Sequence, residues 1–318
     1  MSQVALVHCP DYSQDRLVPA VRNLFDHFGG AGHFVRPGDT VLLKPNFLKT
    51  GRPEKAISTH PAVIEAVLAT LRDCGAGRIW IGEDPPFSTT KFVARSLGLI
   101  PIAKRYGAEL VDFRKDVPMR NGEFRFLFSQ AYDHHIHEAD VLLNLPKLKA
   151  HCQLVTSGAV KNLYGCIAGK QKALMHYQYG ERNNDFAEML VENYLHLKPA
   201  FSLMDGIVAM EGMGPGLGDP RPLNVLAGAV DAVALDRVIT EIIGFDPSAN
   251  FLHQAARTMG VGETDFDRIK ILGEPVERFK VTDFKHPEMM PIRFSVPRLV
   301  KSVVKTYYQR WFVEKKAA

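Results

Sequence analysis

The sequence predicts an α/β fold: an open, mostly parallel, doubly wound sheet with helices on both faces, built as one body or as two lobes around a cleft. Three observations predict it. Short unbroken apolar runs, such as 40–43 and 141–145, read as strands covered on both sides. Segments with apolar residues at helical spacing alternate with those runs. Such βαβα order builds a parallel sheet, because each return crossing needs a helix. The chain has 318 residues, 46% hydrophobic and 23% charged, which is ample for a core.

The elements follow in order. Residues 4–7 form a short apolar strand. Leu17, Val18, Val21, Leu24 and Phe25 share a helical face, and Gly29 and Gly30 end that helix. Strand 40–43 leads into Lys44-Pro45-Asn46. Ser58-Thr59-His60-Pro61 then opens a helix, with a hydroxyl near the cap and Pro in the first turn. Strand 78–81 runs into Gly82-Glu83-Asp84, and Ser88, Thr89 and Thr90 start the next helix. A helix at 100–106 and a strand at 109–113 complete this half. Residues 132–138 carry three histidines and look like a metal cluster, but a strand there would send His135 and His137 to one face and His134 to the other, and a solvated loop is expected over metal binding. Beyond His176 a polar loop, an amphipathic helix at 186–197 and a strand at 201–204 are expected. Then come a glycine-rich loop at 210–220, a strand at 223–227, a helix at 231–243, a helix at 252–259 and a strand at 269–272. The domain reading is a single unit over 1–273, with sub-lobes 1–140 and 141–273. An extension over 274–318 carries a basic amphipathic helix from Pro297, rich in Tyr, Trp and Phe.

In open α/β sheets the working surface lies at the carboxyl ends of the strands. Lys44 and Asn46, Glu83 and Asp84 with Ser88 and Thr89, and the run from Lys147 all fall there. That last run is unusual. From Val141 to Met175 there is no carboxylate, yet Lys147, Lys149, Lys161, Lys170 and Lys172 all occur, with His151 beside them and His176 next in the chain. A solvated surface would mix signs. A one-signed run among small and apolar residues points to a missing negative partner, either a bound anion or carboxylates from elsewhere in the fold. Clustered ammonium groups depress one another's pKa, so one lysine becomes a usable base or nucleophile. Histidines serve acid–base chemistry near neutral pH. The expected catalytic residues are therefore Lys161, His151, His176 and Lys149. The expected ligand- or cofactor-holding residues are Lys147, Lys170, Lys44, Asn46, Ser88, Thr89, Gly214 and Gly216. No metal site is assigned, with Glu211, Asp205 and His176 as the candidate ligands.

Other classes are set aside by composition. The net charge of +4 is mildly basic, and no nucleic-acid module is recognisable. No stretch approaches the ~20 apolar residues of a membrane span, and the N-terminus reads as a strand, not a signal peptide. Cytoplasm is the expected location. Cys9, Cys74, Cys152 and Cys166 are scattered, without a C-x-x-C.

Several motifs point to one family. They are KPN at 44–46, STHP at 58–61, LPKLKAH at 145–151 and SGAVKNLYGCIAGKQKALMH at 157–176. DGIVAMEGMGPGLGDP at 205–220 and DAVALD at 231–236 complete them. Together they resemble the family called domain of unknown function 362. Many members are described as iron–sulfur proteins with a ferredoxin-like [4Fe-4S] segment. This chain lacks that cysteine run, so no cluster of its own is expected. The order His…Gly…Lys…Gly…His across 151–176 is also similar to the segment of nickel-dependent lactate racemases that holds their pincer nucleotide. The expected function is an enzyme acting on a small anionic organic substrate, bearing carboxylate or phosphate, in a Lys/His-lined cleft. Proton transfer and redox chemistry with an external electron donor are both open, so oxidoreductase and isomerase or lyase classes are not separated. The alternatives are a non-catalytic ligand-binding or electron-transfer accessory protein, and a nickel-pincer, racemase-like isomerase. Expected partners are a small anionic ligand and, through the C-terminal helix, a second copy, an electron-donor protein or a membrane surface; no nucleic acid is expected.

Overall fold

A computed structural model of the chain describes residues 1–86, 88–114, 117–118, 124–127, 131–169, 171–294 and 304. The elements in order are β1 (Gln3–His8), α1 (Gln14–Asp26), β2 (Thr40–Pro45), α2 (Pro61–Asp73), β3 (Arg78–Glu83), α3 (Thr90–Ser96), α4 (Leu99–Arg105) and β4 (Ala108–Asp112). There follow β5 (Val117–Pro118), β6 (Ala131–Tyr132), α5 (His134–Glu138), β7 (Val141–Leu145), β8 (Lys147–His151), β9 (Val155–Ser157), α6 (Ala159–Asn162), α7 (Gln171–Tyr179) and α8 (Asn183–Leu197). Last come β10 (Phe201–Glu211), β11 (Asp219–Ala229), α9 (Ala232–Ile242), α10 (Phe251–Met259) and β12 (Lys270–Gly273).

One open sheet runs β12-β1-β11-β10-β7-β2-β3-β4, with β8 attached to β10 and β9 to β8. Strands from before and after residue 140 interleave in it. Most pairings are parallel; β1–β11, β10–β11 and β8–β9 are antiparallel. Both faces are covered, as a mostly parallel sheet requires. Val41, Leu43, Ile79 and Ile81 pack with Leu17, Val21, Val63 and Val67 of α1 and α2. The alternate residues Leu42 and Trp80 face the other layer, with Met189, Leu190, Val238 and Ile239 of α8 and α9. The period-2 alternation of side chains thus divides one sheet between two cores.

Three segments differ from the sequence reading. Residues 134–138 form a short helix, because Asp133 caps it through His135 N, where a solvated loop was expected. Of the polar loop expected after His176, residues 177–179 are instead the end of α7, and only residues 180–182 connect it to α8. Strand β10 continues past 204 to Glu211, pairing with β11 through a bulge between Gly206 and Val208, so only the tip of the glycine-rich stretch is a turn. The helix expected from Pro297 lies outside the described residues apart from Val304, and Lys170 lies outside them too.

Candidate functional site

The site is built where β2, β3, β8 and α6 meet. Lys44 sits at the end of β2 and is fully buried. Its Nζ donates to Glu83 Oε1 at 2.7 Å and to the Pro45 carbonyl at 2.7 Å. Glu83 closes β3. The turn after α6 comes down onto this pair through Gly165: a Cβ there would stand 2.0 Å from Glu83 Oε1 and 2.7 Å from Lys44 Nζ. Only glycine permits that approach. Glu83 Oε2 is buried and has no hydrogen-bond partner among the described residues. Burial pushes the Glu83 carboxyl up, and the charges of Lys44 and Lys172 oppose that rise. Lys172 pairs with Asp84 Oδ2 at 2.9 Å.

Lys147 opens β8 and meets Asp205 on the neighbouring β10. Its Nζ lies 2.7 Å from Asp205 Oδ2 and 2.9 Å from the Tyr12 hydroxyl. Asp205 also accepts from Tyr12 OH at 2.9 Å and from His60 N at 2.9 Å. The Tyr12 and His60 rings stack at 3.6 Å with 10° between planes. Both oxygens of this buried carboxylate are thereby hydrogen-bonded, by three donors in all, which is what a buried ion pair needs to be tolerated.

Lys149 and Lys161 differ from these three lysines. Lys149 is buried and donates to Asn46 Oδ1 at 2.6 Å and to the Ile57 carbonyl at 2.8 Å, both neutral acceptors. Burial holds its ammonium well below the usual lysine range, and Lys161, Lys147 and Lys44 push the same way. Lys161, on α6, is half-buried and makes no hydrogen bond or ion pair among the described residues. Burial lowers it to about 8; Glu83 counters, while Lys44 and Lys172 add to the drop. His151 ends β8. Its Nδ1 accepts from Gln153 N at 3.1 Å, so a neutral ring carries its proton on Nε2. Burial, then Lys161, Lys149 and His176, keep it neutral by pushing its pKa well down. His176 donates from Nδ1 to the Ile292 carbonyl at 3.1 Å and stacks between Phe186 and Phe294. His151 is thus close enough to Lys149, Lys161 and His176 to feel all three electrostatically, and Lys149 to feel Lys161.

The other expected residues are placed as follows. Asn46 links Lys149 to Asn162, which accepts from Asn46 Nδ2 at 2.9 Å. Thr89 caps α3 through Phe92 N, and Ser88 is buried beside it. Gly214 lies against β8: its carbonyl accepts from Cys152 N at 3.1 Å, and a Cβ would stand 1.9 Å from the Ala150 carbonyl. Gly216 is further out, its carbonyl taken by Lys49 at 2.8 Å. The three candidate metal ligands sit in separate settings. Asp205 is held by Lys147, Glu211 accepts from Lys285 N at 3.1 Å, and His176 lies between aromatic rings. Among the described residues, the group of potential ligands that does converge is Asp133, His134 and His135. Both Asp133 oxygens already accept backbone amides there, from His135 and Arg114. Sequence reasoning missed Tyr12, His60 and Asn162 as partners. Only the STHP and VKN motifs hinted at the last two, and nothing local flags Tyr12.

Asp231 and Asp236 have distinct roles. Asp231 caps its own helix α9 through Val233 N and Ala234 N. Asp236 reaches across to cap α6, accepting from Ala159 N and from Val160 N at 3.1 Å. Gly158 makes room for it, since a Cβ there would stand 2.1 Å from Asp236 Oδ1. Burial raises this carboxyl from 3.8 to about 7, with the two amide donors pulling it back down. The folded chain therefore holds this proton more tightly than the unfolded chain. Asp236 adds most stability below about pH 4, and that contribution fades as pH rises towards about 7. Denaturant melts of Asp236→Asn across this window are expected to show a flatter stability–pH slope than wild type; equal slopes would contradict the assignment.

A family model described as "Domain of unknown function (DUF362)" matches residues 41–241, the span that carries Lys44, Glu83, the β8 lysines, Lys161 and Asp236. The chain belongs to the DUF362 family. Within it, the thylakoid-associated protein sll1697 of Synechocystis sp. is 38% identical over 320 residues, covering 99% of this chain and 97% of that one. Among solved structures, the lactate racemase apoprotein of Thermoanaerobacterium thermosaccharolyticum matches with a TM-score of 0.42 at 14% identity, covering 73% of this chain and 55% of its own. A Thermotoga maritima protein matches with a TM-score of 0.39 at 9% identity, covering 71% and 57%. This DUF362 chain thus spans just over half of each of those two structures, and neither likeness bears on activity. None of its described helices is long and apolar enough to cross a membrane.

Proposed function

We propose that this chain is an enzyme for a small anionic organic molecule, bearing a carboxylate or phosphate, that binds against Lys161 and Lys149. The observation that carries this reading is a charge imbalance. Lys44, Lys147 and Lys172 each have a carboxylate, Glu83, Asp205 and Asp84, within 2.9 Å. Lys149 has only neutral acceptors, and Lys161 has none among the described residues. Uncompensated cations in a protein interior need a partner. An anion bridging the two supplies it.

The chemistry that suits these groups is proton transfer. With Lys161 near 8, roughly a tenth of it is a free amine at pH 7, enough for a general base. Lys149 and the Nε2–H of His151 would hold the negative charge that develops when a proton leaves a carbon beside a carboxylate. A second reading, an accessory protein docked on a membrane, is favoured by one finding: the relative matched over nearly the whole chain is thylakoid-associated. Work at the cytoplasm-facing surface of a membrane would suit both that finding and the expected location.

Mass spectrometry of small molecules released from denatured, purified protein tests the first reading. It predicts a carboxylate or phosphate compound that is lost from Lys161→Ala protein. A wild type that releases no such compound, or a variant that retains it fully, would overturn the reading.

A further inference from the structure

Four large apolar side chains stand exposed in one place. Leu217 is 81% exposed, Met289 48%, Met290 41% and Met213 36%. Backbone hydrogen bonds bring them together. Leu217 N donates to the Met213 carbonyl at 3.2 Å, folding the glycine-rich turn into a tip between β10 and β11. Cys152, just beyond β8, donates from its N to the Gly214 carbonyl at 3.1 Å and accepts from Met290 N at 2.6 Å. Gly212 N donates to the Lys285 carbonyl at 2.9 Å, so the segment leading to Met289 crosses beside the tip. Apolar residues exposed singly are ordinary; a cluster on adjoining segments is not. Lys285 brings no free charge to the tip, because it lies 3.4 Å from Glu211 and 3.5 Å from Asp219. The chain then runs on to its basic tail. Gln153 Nε2 donates to the Pro291 carbonyl at 2.8 Å and Phe294 stacks on His176 at 4.4 Å, so the tail starts from a segment tied to the turn that also holds the tip. From residue 295 on, the sequence has six lysines and arginines against one acidic side chain, Glu314, together with two tyrosines, Trp311 and Phe312. Val304, in the apolar stripe of that sequence, is helical and 60% exposed.

We propose that the Met213–Leu217 tip, with Met289 and Met290, inserts at the headgroup boundary of an anionic lipid bilayer, while the basic tail holds the chain at that surface. The inference rests on the reading of the chain as one that works at a membrane surface, and adds the surface it uses. The two parts do different work. The tip is apolar and gains by leaving water, whatever the lipid charge. The tail combines lysine and arginine with tyrosine and tryptophan, the composition of a segment that lies in a bilayer interface and is drawn there by anionic headgroups. The exposure of Val304 fits an apolar stripe turned towards lipid and not towards the body of the protein. A second copy is the poorer occupant of this face. It would bring a second tail of the same sign, which repels the first, whereas anionic headgroups neutralise both. Docking in this way sets the His151 end of β8 beside the bilayer, since Gly214 and Met290 both bond to Cys152.

Co-sedimentation of the full chain with lipid vesicles tests this, using phosphatidylglycerol mixed with phosphatidylcholine, or phosphatidylcholine alone. Wild type is expected to bind the vesicles that contain phosphatidylglycerol, and to bind them more weakly as salt rises. Met213→Ser combined with Leu217→Ser removes apolar surface without changing charge. This variant is expected to partition about tenfold or more weakly at every salt concentration, with an unchanged melting temperature, because both side chains are exposed. Lys301→Glu combined with Lys305→Glu is expected to lose most of the preference for phosphatidylglycerol. Partition of the serine variant equal to that of wild type overturns the role of the tip and leaves membrane docking to the tail. A retained preference in the glutamate variant overturns the part given to the tail. Absence of wild-type partition into either vesicle overturns both the tip and the membrane reading beneath it. A wild-type dimer in solution that Leu217→Ser disperses also overturns the proposal, by giving this face to a second copy.

Discussion

Lys161→Met is expected to abolish saturable anion binding, by roughly a hundredfold or more in affinity, in a protein that remains folded. The loss follows from the geometry: within this cluster, Lys161 makes no hydrogen bond or ion pair among the described residues, so its charge is left for a ligand. A charge-assisted contact in a partly desolvated site contributes about 2–5 kcal/mol to binding. Stability should move the other way. Burial holds the folded-state pKa at about 8, below the ordinary lysine value of 10.5, so the ammonium costs stability at neutral pH, and that cost disappears as pH rises through about 8 to 10.5. Methionine keeps the apolar stem and removes the buried charge. A gain on the order of 1–3 kcal/mol at pH 7, shrinking towards zero in alkaline solution, is expected. Anion titration and denaturant melts of the same preparation check both halves. Retained affinity would remove Lys161 from the site.

The opposite outcome is expected at Asp205. Asp205→Ala leaves Lys147 buried with no carboxylate, and strips acceptors from Tyr12 and from His60 N. Breaking a buried pair from one side costs about 3–5 kcal/mol. For a chain of this size that is a fall in Tm on the order of 10 °C. Adding Lys147→Met to the variant should recover part of the loss, because the stranded cation goes with it. Urea melts of the single and double variants measure this. A single variant as stable as wild type would mean that Asp205 does not anchor β8 to β10.

Where hydrophobic period decided structure, the sequence was readable. The strands around 40, 78, 141 and 201 and the helices around 61, 186 and 231 all appear within a few residues of their expected places. Each is specified by its own side chains. The misread segments depend on distant partners. Strand β10 runs on to Glu211 because β11 pairs with it, and α7 continues beyond His176 because Phe186 and Phe294 hold that histidine from either side. The same distinction holds for the site. The one-signed run announced a missing negative charge, and two of its lysines, Lys147 and Lys172, prove to have carboxylates, Asp205 from β10 and Asp84 just after β3. Which lysines would be left over was not legible. That depends on the fold bringing Glu83, Asp84 and Asp205 to particular amines. The role of Asp236 was hidden in the same way: its helix is evident in the pattern, but its task of capping α6 needs Gly158, far away in the chain.

The most direct test of the central claim is a titration of wild-type protein with sulfate across pH, since sulfate stays a dianion throughout. The account predicts saturable binding whose affinity is steady near neutral pH and falls about tenfold per pH unit above about 8, as Lys161 loses its proton. Absence of saturable binding, or an affinity indifferent to pH through that range, would contradict it.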